Sequence, residues 1–299
     1  GVIAAIEPND SVERFTGLGV NVILGAARFT SLNTVEAGGK TIQAKRFVIA
    51  TGSSAMIPPI PGLDQVKYLT NETVFELDTR PDHLMVIGGG PIGAELAQAH
   101  RRLGAEVTIV EMFNFLGKDD PELTEVVRKQ FAADGIDIRA QTAVTAIEKD
   151  GDKIVVVTEK NGQTERIVGS HLLVAAGRIP NLDGLNLEAA SVAFERRGIE
   201  VDARLRTTNK KIFAIGDIAS PYQFTHMAGY HASIVIRNAL FKLPAKVNYS
   251  AVPWVTYTDP ELAHVGRTET DAEKEHPGAI TVLRWPFHEN DRAQAERET

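Results

Sequence analysis

The 299-residue sequence contains no cysteine and no long hydrophobic run. Without cysteine, the chain can itself form no disulfide, no thiolate metal site and no thiol nucleophile. No apolar stretch approaches the ~20 residues that a membrane-spanning helix needs, and no charged-then-apolar stretch of the kind found in secretory leaders is seen. We therefore expect a protein that does not enter a membrane, with the cytoplasm as its default location.

The sequence also lacks an excess of positive charge, with 32 Lys and Arg against 39 Asp and Glu. The formal net charge is -7, and Lys and Arg are scattered along the chain, so we expect no extended basic surface for a phosphate backbone and no nucleic-acid partner. The metal-binding patterns H-E-x-x-H and the carboxylate-rich calcium loop do not occur, and neither does the G-x-S-x-G pattern of serine hydrolases. The sequence therefore predicts neither a metal site nor a serine nucleophile.

A glycine-rich turn is the most informative local pattern in the sequence. Leu84 to Ile87 form an apolar run typical of a buried parallel strand, and Gly88, Gly90 and Gly93 follow in G-x-G-x-x-G spacing. In this pattern the first glycine permits a tight turn, the second lets the backbone approach a pyrophosphate, and the third lets a helix pack close to the strand. The N-terminus of that helix would add free N–H groups for the phosphates.

The residues after the turn complete a strand, helix, strand unit. Apolar residues from Ile92 to Leu103 recur at helical spacing, and Gly104 suits a left-handed cap. A second apolar strand ends at Glu111, 23 positions after the first glycine, where an acid can accept hydrogen bonds from an adenosine ribose. A structural turn without a ligand is the alternative. The order of these parts favours a dinucleotide site formed by Gly88, Gly89, Gly90, Pro91, Ile92, Gly93 and Glu111.

Three more predicted strands end in glycine. KRFVIATGSS ends an apolar run at Gly52, SHLLVAAGRIPN ends one at Gly177, and NKKIFAIGDIAS ends one at Gly216, which Asp217 follows. Ligands of doubly wound sheets bind at the carboxyl ends of strands, where glycine admits close backbone contact. Any one of these glycines could be plain turn punctuation, but the three together favour a second nucleotide site.

The patterns predict a discontinuous organisation. Residues 1–72 and 179–248 form one nucleotide domain, residues 73–178 form an inserted one, and a smaller third domain of short strands and one polar helix occupies residues 249–299. Inside the insert, we expect an amphipathic helix just after Pro121 and alternating strands joined by Asp-Gly and Asn-Gly turns. Near the start of the chain, GVNVILGAARFTSL is strand-like.

Four segments resemble a known family in order and spacing: VIGGGPIGAE, LLVAAGRIPN, LRTTNKKIFAIGD and VPWVTYTDPELAHVG. They are similar to the pyridine nucleotide-disulfide oxidoreductases, which include dihydrolipoamide dehydrogenase, glutathione reductase and mercuric reductase, and their texture is most like mercuric-reductase-like members. The resemblance implies an α/β fold with two Rossmann-like domains, a split FAD domain with an inserted NAD(P) domain, followed by the start of an α+β dimerisation domain. It also implies a homodimer that passes hydride from NAD(P)H to FAD and on to a disulfide, metal ion or other acceptor.

The resemblance leaves some family motifs unassigned. The family's first FAD fingerprint and its C-x-x-x-x-C pair would precede Gly1, and its His-Glu pair would follow Thr299, so we expect the sequence to be incomplete at both ends. The chain alone should then bind FAD weakly or not at all. A dithiol-free NADH oxidase or quinone-type flavin reductase and a non-catalytic nucleotide-binding fragment remain as alternatives.

The resemblance also assigns individual residues. Asp217 matches the acid that binds the FAD ribityl chain, and Glu95 matches a catalytic acid that reaches from the NAD domain toward the flavin. Pro91 stands where some relatives place an aromatic gate. His226 and His231 receive no catalytic role, because a histidine packed on a helix more often only satisfies its hydrogen bonds. The remaining residues expected to contact FAD are Ala27, Thr51, Gly52, Ser53, Gln223, Phe224, Thr225 and His226, the last four leading into a helix whose N-terminus would face the flavin.

The residues around Glu111 predict which nicotinamide cofactor binds. The first cation after Glu111 is Lys118, so a 2'-phosphate would meet the carboxylate without an adjacent arginine. A free ribose hydroxyl could instead donate to Glu111. We therefore expect NAD rather than NADP, together with FAD.

Overall fold

The computed structural model describes residues 1–297. Its helices are α1 (Val2–Ile6), α2 (Val12–Gly17), α3 (Pro91–Arg102), α4 (Pro121–Ala133), α5 (Thr225–Ala239), α6 (Glu269–Glu275) and α7 (Asp291–Glu296). Its strands are β1 (Ala27–Ser31), β2 (Thr34–Ala37), β3 (Lys40–Gln43), β4 (Phe47–Ile49), β5 (Ser53–Ala55), β6 (His83–Ile87), β7 (Glu106–Glu111), β8 (Asp137–Ala140), β9 (Ala143–Asp150), β10 (Lys153–Lys160), β11 (Gln163–Gly169), β12 (His171–Val174), β13 (Arg178–Pro180), β14 (Phe194–Glu195), β15 (Gly198–Ile199), β16 (Ile212–Ala214), β17 (Pro253–Thr256) and β18 (Leu262–Val265). None of the helices in residues 1–297 has the length and hydropathy of a membrane span.

The chain divides into two compact units, each with its own core. One unit contains Ile57–Gly177 and the segment from Asn248 onward, and the other contains Gly1–Met56 and Arg178–Val247. Residues 57–72 thus cluster with the unit that carries the glycine-rich turn, whereas the sequence places them in the first domain. The four predicted domain ranges stay a prediction.

The unit with the glycine-rich turn is built on a four-stranded parallel sheet in the order β12, β6, β7, β8. Strand β6 has apolar residues on both faces, as expected for a parallel strand that other elements cover on both sides. Leu84 and Val86 pack in one cluster with Val127 and Phe131 of α4. Met85 packs in a second cluster on the opposite face, together with residues of the antiparallel sheet β11-β10-β9. The result is three layers: helices, parallel sheet and antiparallel sheet.

The antiparallel sheet follows the predicted turns. Strands β9 and β10 are joined at Gly151 and Asp152, and β10 and β11 are joined at Asn161 and Gly162. Both Asn161 and Gly162 have positive φ, 53° and 76°, as a two-residue type I' hairpin requires. The helix expected after Pro121 begins at that residue, with Asp120 as its side-chain cap.

The other unit contains a small parallel pair, β4 with β16, and the antiparallel sheet β1-β2-β3. Phe29, Ile49 and Ile212 lie in its core cluster, and α5 packs beside it through a cluster that includes Phe213 and Ile234. The strand-like segment 19–32 is only partly a strand: β1 begins at Ala27, and residues 20–26 are irregular and mostly exposed. That part of the sequence prediction was wrong.

Candidate functional site

The turn after β6 requires glycine at two of its positions. Gly88 has φ 109°, and a Cβ atom there would lie 2.3 Å from the carbonyl oxygen of Ala175. A Cβ atom at Gly93 would lie 2.0 Å from the carbonyl oxygen of Gly88, so only glycine lets α3 pack this closely on the turn. These two contacts fix the relative positions of β6, α3 and the end of β12.

Gly90 differs from its neighbours because it faces open space. A Cβ atom at this residue would have no heavy atom within 4 Å, and its φ of -80° is ordinary for any amino acid. Gly90 is also the N-cap of α3 and provides no side-chain cap, and Pro91 follows at the first helical position. The backbone here therefore presents an uncapped, positive helix end to the space beside it.

Glu111, the last residue of β7, is held by two backbone amides. Its Oε2 accepts a hydrogen bond from the N–H of Gly89 at 2.6 Å, and its Oε1 accepts one from the N–H of Phe113 at 2.7 Å. Charge-assisted bonds of this kind are short and strong. The carboxylate therefore has a fixed orientation, and the remaining lone pairs of its two oxygens can accept donors from a ligand.

These groups line a cleft of about 500 Å³ at the carboxyl ends of β6, β7 and β12. This is the edge at which open α/β sheets bind ligands. The sequence-predicted residues that the cleft brings together are Gly88, Gly89, Gly90, Pro91, Ile92, Glu111 and Gly177. Sequence reasoning missed the lining residues Phe113, Asn114, Leu116, Gly117, Asp119, Ala175 and Ala176. Lys118, which the sequence analysis names as the first cation after Glu111, also lines the cleft.

Glu95 lies on α3, one turn after Pro91 and Ile92, and is not among the residues that line the cleft. Its Oε1 accepts a hydrogen bond from the backbone N–H of Tyr257 at 2.8 Å. Burial raises the pKa of Glu95, and the hydrogen bond from Tyr257 partly opposes that rise. Its catalytic role stays a prediction from the family resemblance.

Asp217 is the centre of a polar cluster in the other unit. Its Oδ2 accepts a hydrogen bond from the Ser53 hydroxyl at 2.6 Å, and Nε of Arg178 lies 3.8 Å from the same oxygen. Arg178 also donates to the Ser53 hydroxyl at 2.7 Å and to the Ser53 carbonyl at 2.6 Å. Arg178 was missed by sequence reasoning, although it directly follows a strand-end glycine. The Asp217 carboxylate is thus oriented by a hydroxyl and a cation.

The strand ends beside this cluster are joined by side-chain hydrogen bonds. The Thr51 hydroxyl donates to the carbonyl of Asn181 at 3.0 Å, and the Asn181 amide donates to the carbonyl of Thr51 at 2.9 Å. Gly52 has φ 67°, and a Cβ atom there would meet nothing within 4 Å. Ala27 lies apart from these residues, exposed at the start of β1, where it pairs with Ala37.

The helix α5 begins at Thr225, a short segment after Asp217, and no side chain caps its N-terminus. Phe224 is the N-cap, and its ring stacks on His226 with centroids 5.3 Å apart. Gln223 and Phe224 are half-buried, whereas Thr225 and His226 are exposed. The four residues therefore lie together at the positive end of a 15-residue helix.

His231 is fully buried in α5 and has a structural contact. Its Nδ1 accepts a hydrogen bond from the N–H of Gly216 at 3.2 Å, which holds the turn before Asp217 against the helix. Burial lowers the pKa of His231. An accepting Nδ1 and a lowered pKa both indicate a neutral imidazole.

No group of three or more potential metal ligands exists in the part of the chain that the structure describes.

Comparison with known proteins identifies the family that the sequence motifs resemble over most of the chain. Residues 5–232 match the pyridine nucleotide-disulphide oxidoreductase model, and residues 252–299 match the dimerisation domain of the same family. The sequence is 43% identical to a mercuric reductase of Bacillus cereus over 94% of this chain and 45% of the relative. It is 38% identical to a dihydrolipoyl dehydrogenase of Thermus scotoductus over 92% of this chain and 60% of the relative.

Solved structures agree with these matches. The Cu(II) complex of the HOCl-induced flavoprotein disulfide reductase RclA from Escherichia coli superposes with a TM-score of 0.87 at 29% identity, covering 96% of this chain and 67% of that one. LpdA from Mycobacterium tuberculosis gives a TM-score of 0.86 at 27% identity, covering 99% and 66%. The chain spans about half the length of the mercuric reductases it matches. By sequence and by fold, it belongs to the pyridine nucleotide-disulphide oxidoreductase family.

Proposed function

We propose that this chain supplies the nicotinamide dinucleotide site, and part of the FAD site, of an FAD-dependent oxidoreductase that uses NADH as its electron donor. The observation that carries the proposal is the cleft beside the turn after β6. It combines open space at Gly90, the uncapped N-terminus of α3 and a fixed carboxylate at Glu111. A dinucleotide needs these three features for its pyrophosphate and its adenosine ribose.

In this proposal, different residues of the cleft bind different parts of the dinucleotide. The backbone at Gly89 and Gly90 and the first turn of α3 bind the pyrophosphate. Glu111 accepts hydrogen bonds from the adenosine ribose hydroxyls. Gly177 follows the neighbouring strand β12, has φ 121° and lines the cleft. Because it has no side chain, the dinucleotide can approach its backbone closely.

The Asp217 cluster fits the polar middle of FAD. Asp217 is about 20% exposed, and its orientation by Ser53 and Arg178 leaves acceptor capacity for ribityl hydroxyls. The uncapped N-terminus of α5 would stabilise negative charge on a reduced flavin. Thr51 and Gly52 would approach FAD through backbone atoms. When bound, FAD would supply a two-electron carrier between the nicotinamide and the acceptor.

The names of the relatives guide the proposal for the acceptor. The matched enzymes include mercuric reductases and dihydrolipoyl dehydrogenases, so we propose a metal ion or a disulfide as the electron acceptor. The match to a dimerisation domain supports a homodimer of the whole protein. The cytoplasmic location expected from the sequence stays a prediction.

Calorimetric titration of the chain with NADH tests the nucleotide site. We expect one NADH per chain, and at least tenfold weaker binding by Gly90→Ala, because the new methyl group fits the fold without contact but occupies the approach of the pyrophosphate. Gly17→Ala is the matched control, since Gly17 also has open space and lies in α2. Undiminished NADH binding by Gly90→Ala would contradict the assignment of the cleft.

A further inference from the structure

The loop after Glu111 forms one wall of the cleft and is fixed at the glycine-rich turn. We call residues 112–120 the cleft loop. Leu116 donates its backbone N–H to the carbonyl of Gly89 at 2.8 Å, and Asp119 donates its N–H to the carbonyl of Leu116 at 3.0 Å. Leu116 is 1% exposed and has φ 48°, an uncommon conformation for a residue other than glycine. The surrounding packing thus holds the loop in one shape.

Asp119 connects the cleft loop to a distant part of the sequence. It is 7% exposed, and its Oδ1 accepts a hydrogen bond from the indole N–H of Trp254 at 2.8 Å. Trp254 lies on β17, in the segment that matches the dimerisation domain. Its ring stacks on His264 of β18 with centroids 3.9 Å apart, which holds the indole in place. A buried carboxylate with a charge-assisted donor is a strong contact, and losing the donor would leave it poorly satisfied.

Trp254 acts from outside the cleft. Among residues 1–297, those that line the cleft include Asp119 but not Trp254. Trp254 therefore acts on a ligand only indirectly, and its hydrogen bond to Asp119 is its direct link to the cleft loop. A loop already held in its bound shape costs less to order when a ligand binds.

We propose that Asp119 and Trp254 are positioning residues for the nicotinamide cofactor, and that their hydrogen bond couples the dimerisation segment to cofactor affinity. The proposal rests on the nucleotide site proposed above. The bond keeps the cleft loop closed on Gly89, so that the wall opposite α3 is ready before the cofactor arrives. It connects residues 135 positions apart, of which Trp254 lies in the family segment VPWVTYTDPELAHVG and Asp119 lies outside the four family segments.

Four variants of the chain, titrated with NADH by calorimetry, test this coupling. Trp254→Phe and Asp119→Ala should each weaken NADH binding about fivefold, and the double variant should be no weaker than either single one. Asp119→Asn keeps an oxygen acceptor for the indole and should bind within about twofold of the parent. Val156→Ala, in the buried sheet core, controls for a general loss of stability, and each unfolding temperature is measured in parallel.

The outcomes separate the two proposals. NADH binding by Trp254→Phe that equals that of the parent would refute the coupling alone, and so would losses that multiply in the double variant. A Val156→Ala variant that loses as much affinity as Trp254→Phe would also refute it, by assigning the effect to stability. A parent chain that fails to bind NADH would refute the nucleotide site itself.

Discussion

Among single residues, we propose that Glu111 decides the choice of nicotinamide cofactor. Its two oxygens are held by the N–H groups of Gly89 and Phe113, so the carboxylate cannot easily turn away from a 2'-phosphate. A 2'-phosphate bound beside the Glu111 carboxylate would be repelled by its negative charge. The ribose hydroxyls of NADH can instead donate hydrogen bonds to the same carboxylate oxygens. The rigidity of the carboxylate thus supports the preference that the sequence suggests, whereas the cation of Lys118, which lines the same cleft, opposes it.

We expect the chain to bind NADH at least tenfold more tightly than NADPH, and Glu111→Ala to reduce this ratio toward one by weakening NADH and relieving NADPH. Parallel calorimetric titrations with the two nucleotides measure the ratio. Glu106→Ala is the control, because it removes an exposed carboxylate from the first position of the same strand. Equal affinities in the parent would contradict the assigned specificity.

The sequence predicts the single-residue features that depend on local spacing. The glycine positions follow from the turn itself, since Gly88 and Gly93 meet backbone atoms that the strand-turn-helix unit brings together. The Asp119–Trp254 and Ser53–Asp217 hydrogen bonds join residues 135 and 164 positions apart. No local pattern encodes these pairs, because they depend on how distant strands meet.

Among the secondary-structure elements, one face of α3 holds the β17–β18 hairpin. Gln98 is 4% exposed and exchanges hydrogen bonds with both the N–H and the carbonyl of Asp259 at 2.8 Å. Arg102 pairs with the Asp259 carboxylate at 2.7 Å, and Glu95 accepts the N–H of Tyr257. The spacing of Glu95, Gln98 and Arg102 places them on the same side of the helix. The helix that faces the cleft at its N-terminus therefore also supports the hairpin.

Glu95 makes the stability of the contact between α3 and the hairpin depend on pH. Its pKa in the folded chain is raised, mainly by burial, so the carboxylate destabilises the fold above that pKa and has no such effect below the unfolded value of about 4.3. Glu95→Gln keeps the acceptor for the Tyr257 amide without the charge. We expect it to raise the Tm by about 1–2 °C at pH 7.5 and to leave it unchanged near pH 4.

Thermal unfolding followed by circular dichroism at the two pH values measures the Glu95 effect. Glu106→Gln serves as the exposed control and should change the Tm at neither pH. A Glu95→Gln variant that is destabilised at pH 7.5 would show that the charge itself holds the hairpin, contrary to our account.

Elements with strong periodicity are predicted well from the sequence, and weakly patterned ones are not. The strand at Leu84–Ile87, the helix after Pro121 and the Asn161-Gly162 hairpin all lie where their patterns indicate. Residues 20–26 include apolar residues of high β-propensity but form no strand. Residues of high β-propensity form a strand only where a neighbouring strand pairs with them. Tertiary pairing of this kind cannot be seen in one segment.

At the scale of the whole molecule, two compact units and a segment that matches the dimerisation domain are consistent with the proposed electron path from nicotinamide to flavin. The family resemblance supplies this path, and the geometry of the cleft and of the Asp217 cluster supports its two ends separately. The central claim is therefore that a flavin held in part by Asp217 receives electrons from NADH bound at Gly90 and Glu111.

Anaerobic addition of NADH to the purified full-length protein that contains this chain, followed by visible absorption, tests that claim most directly. We predict that one NADH per flavin bleaches the flavin bands, and that at the same subsaturating NADH concentration the flavin of Gly90→Ala is reduced at least about tenfold more slowly. A full-length protein that carries no flavin, or whose flavin bands persist in excess NADH, would contradict the account.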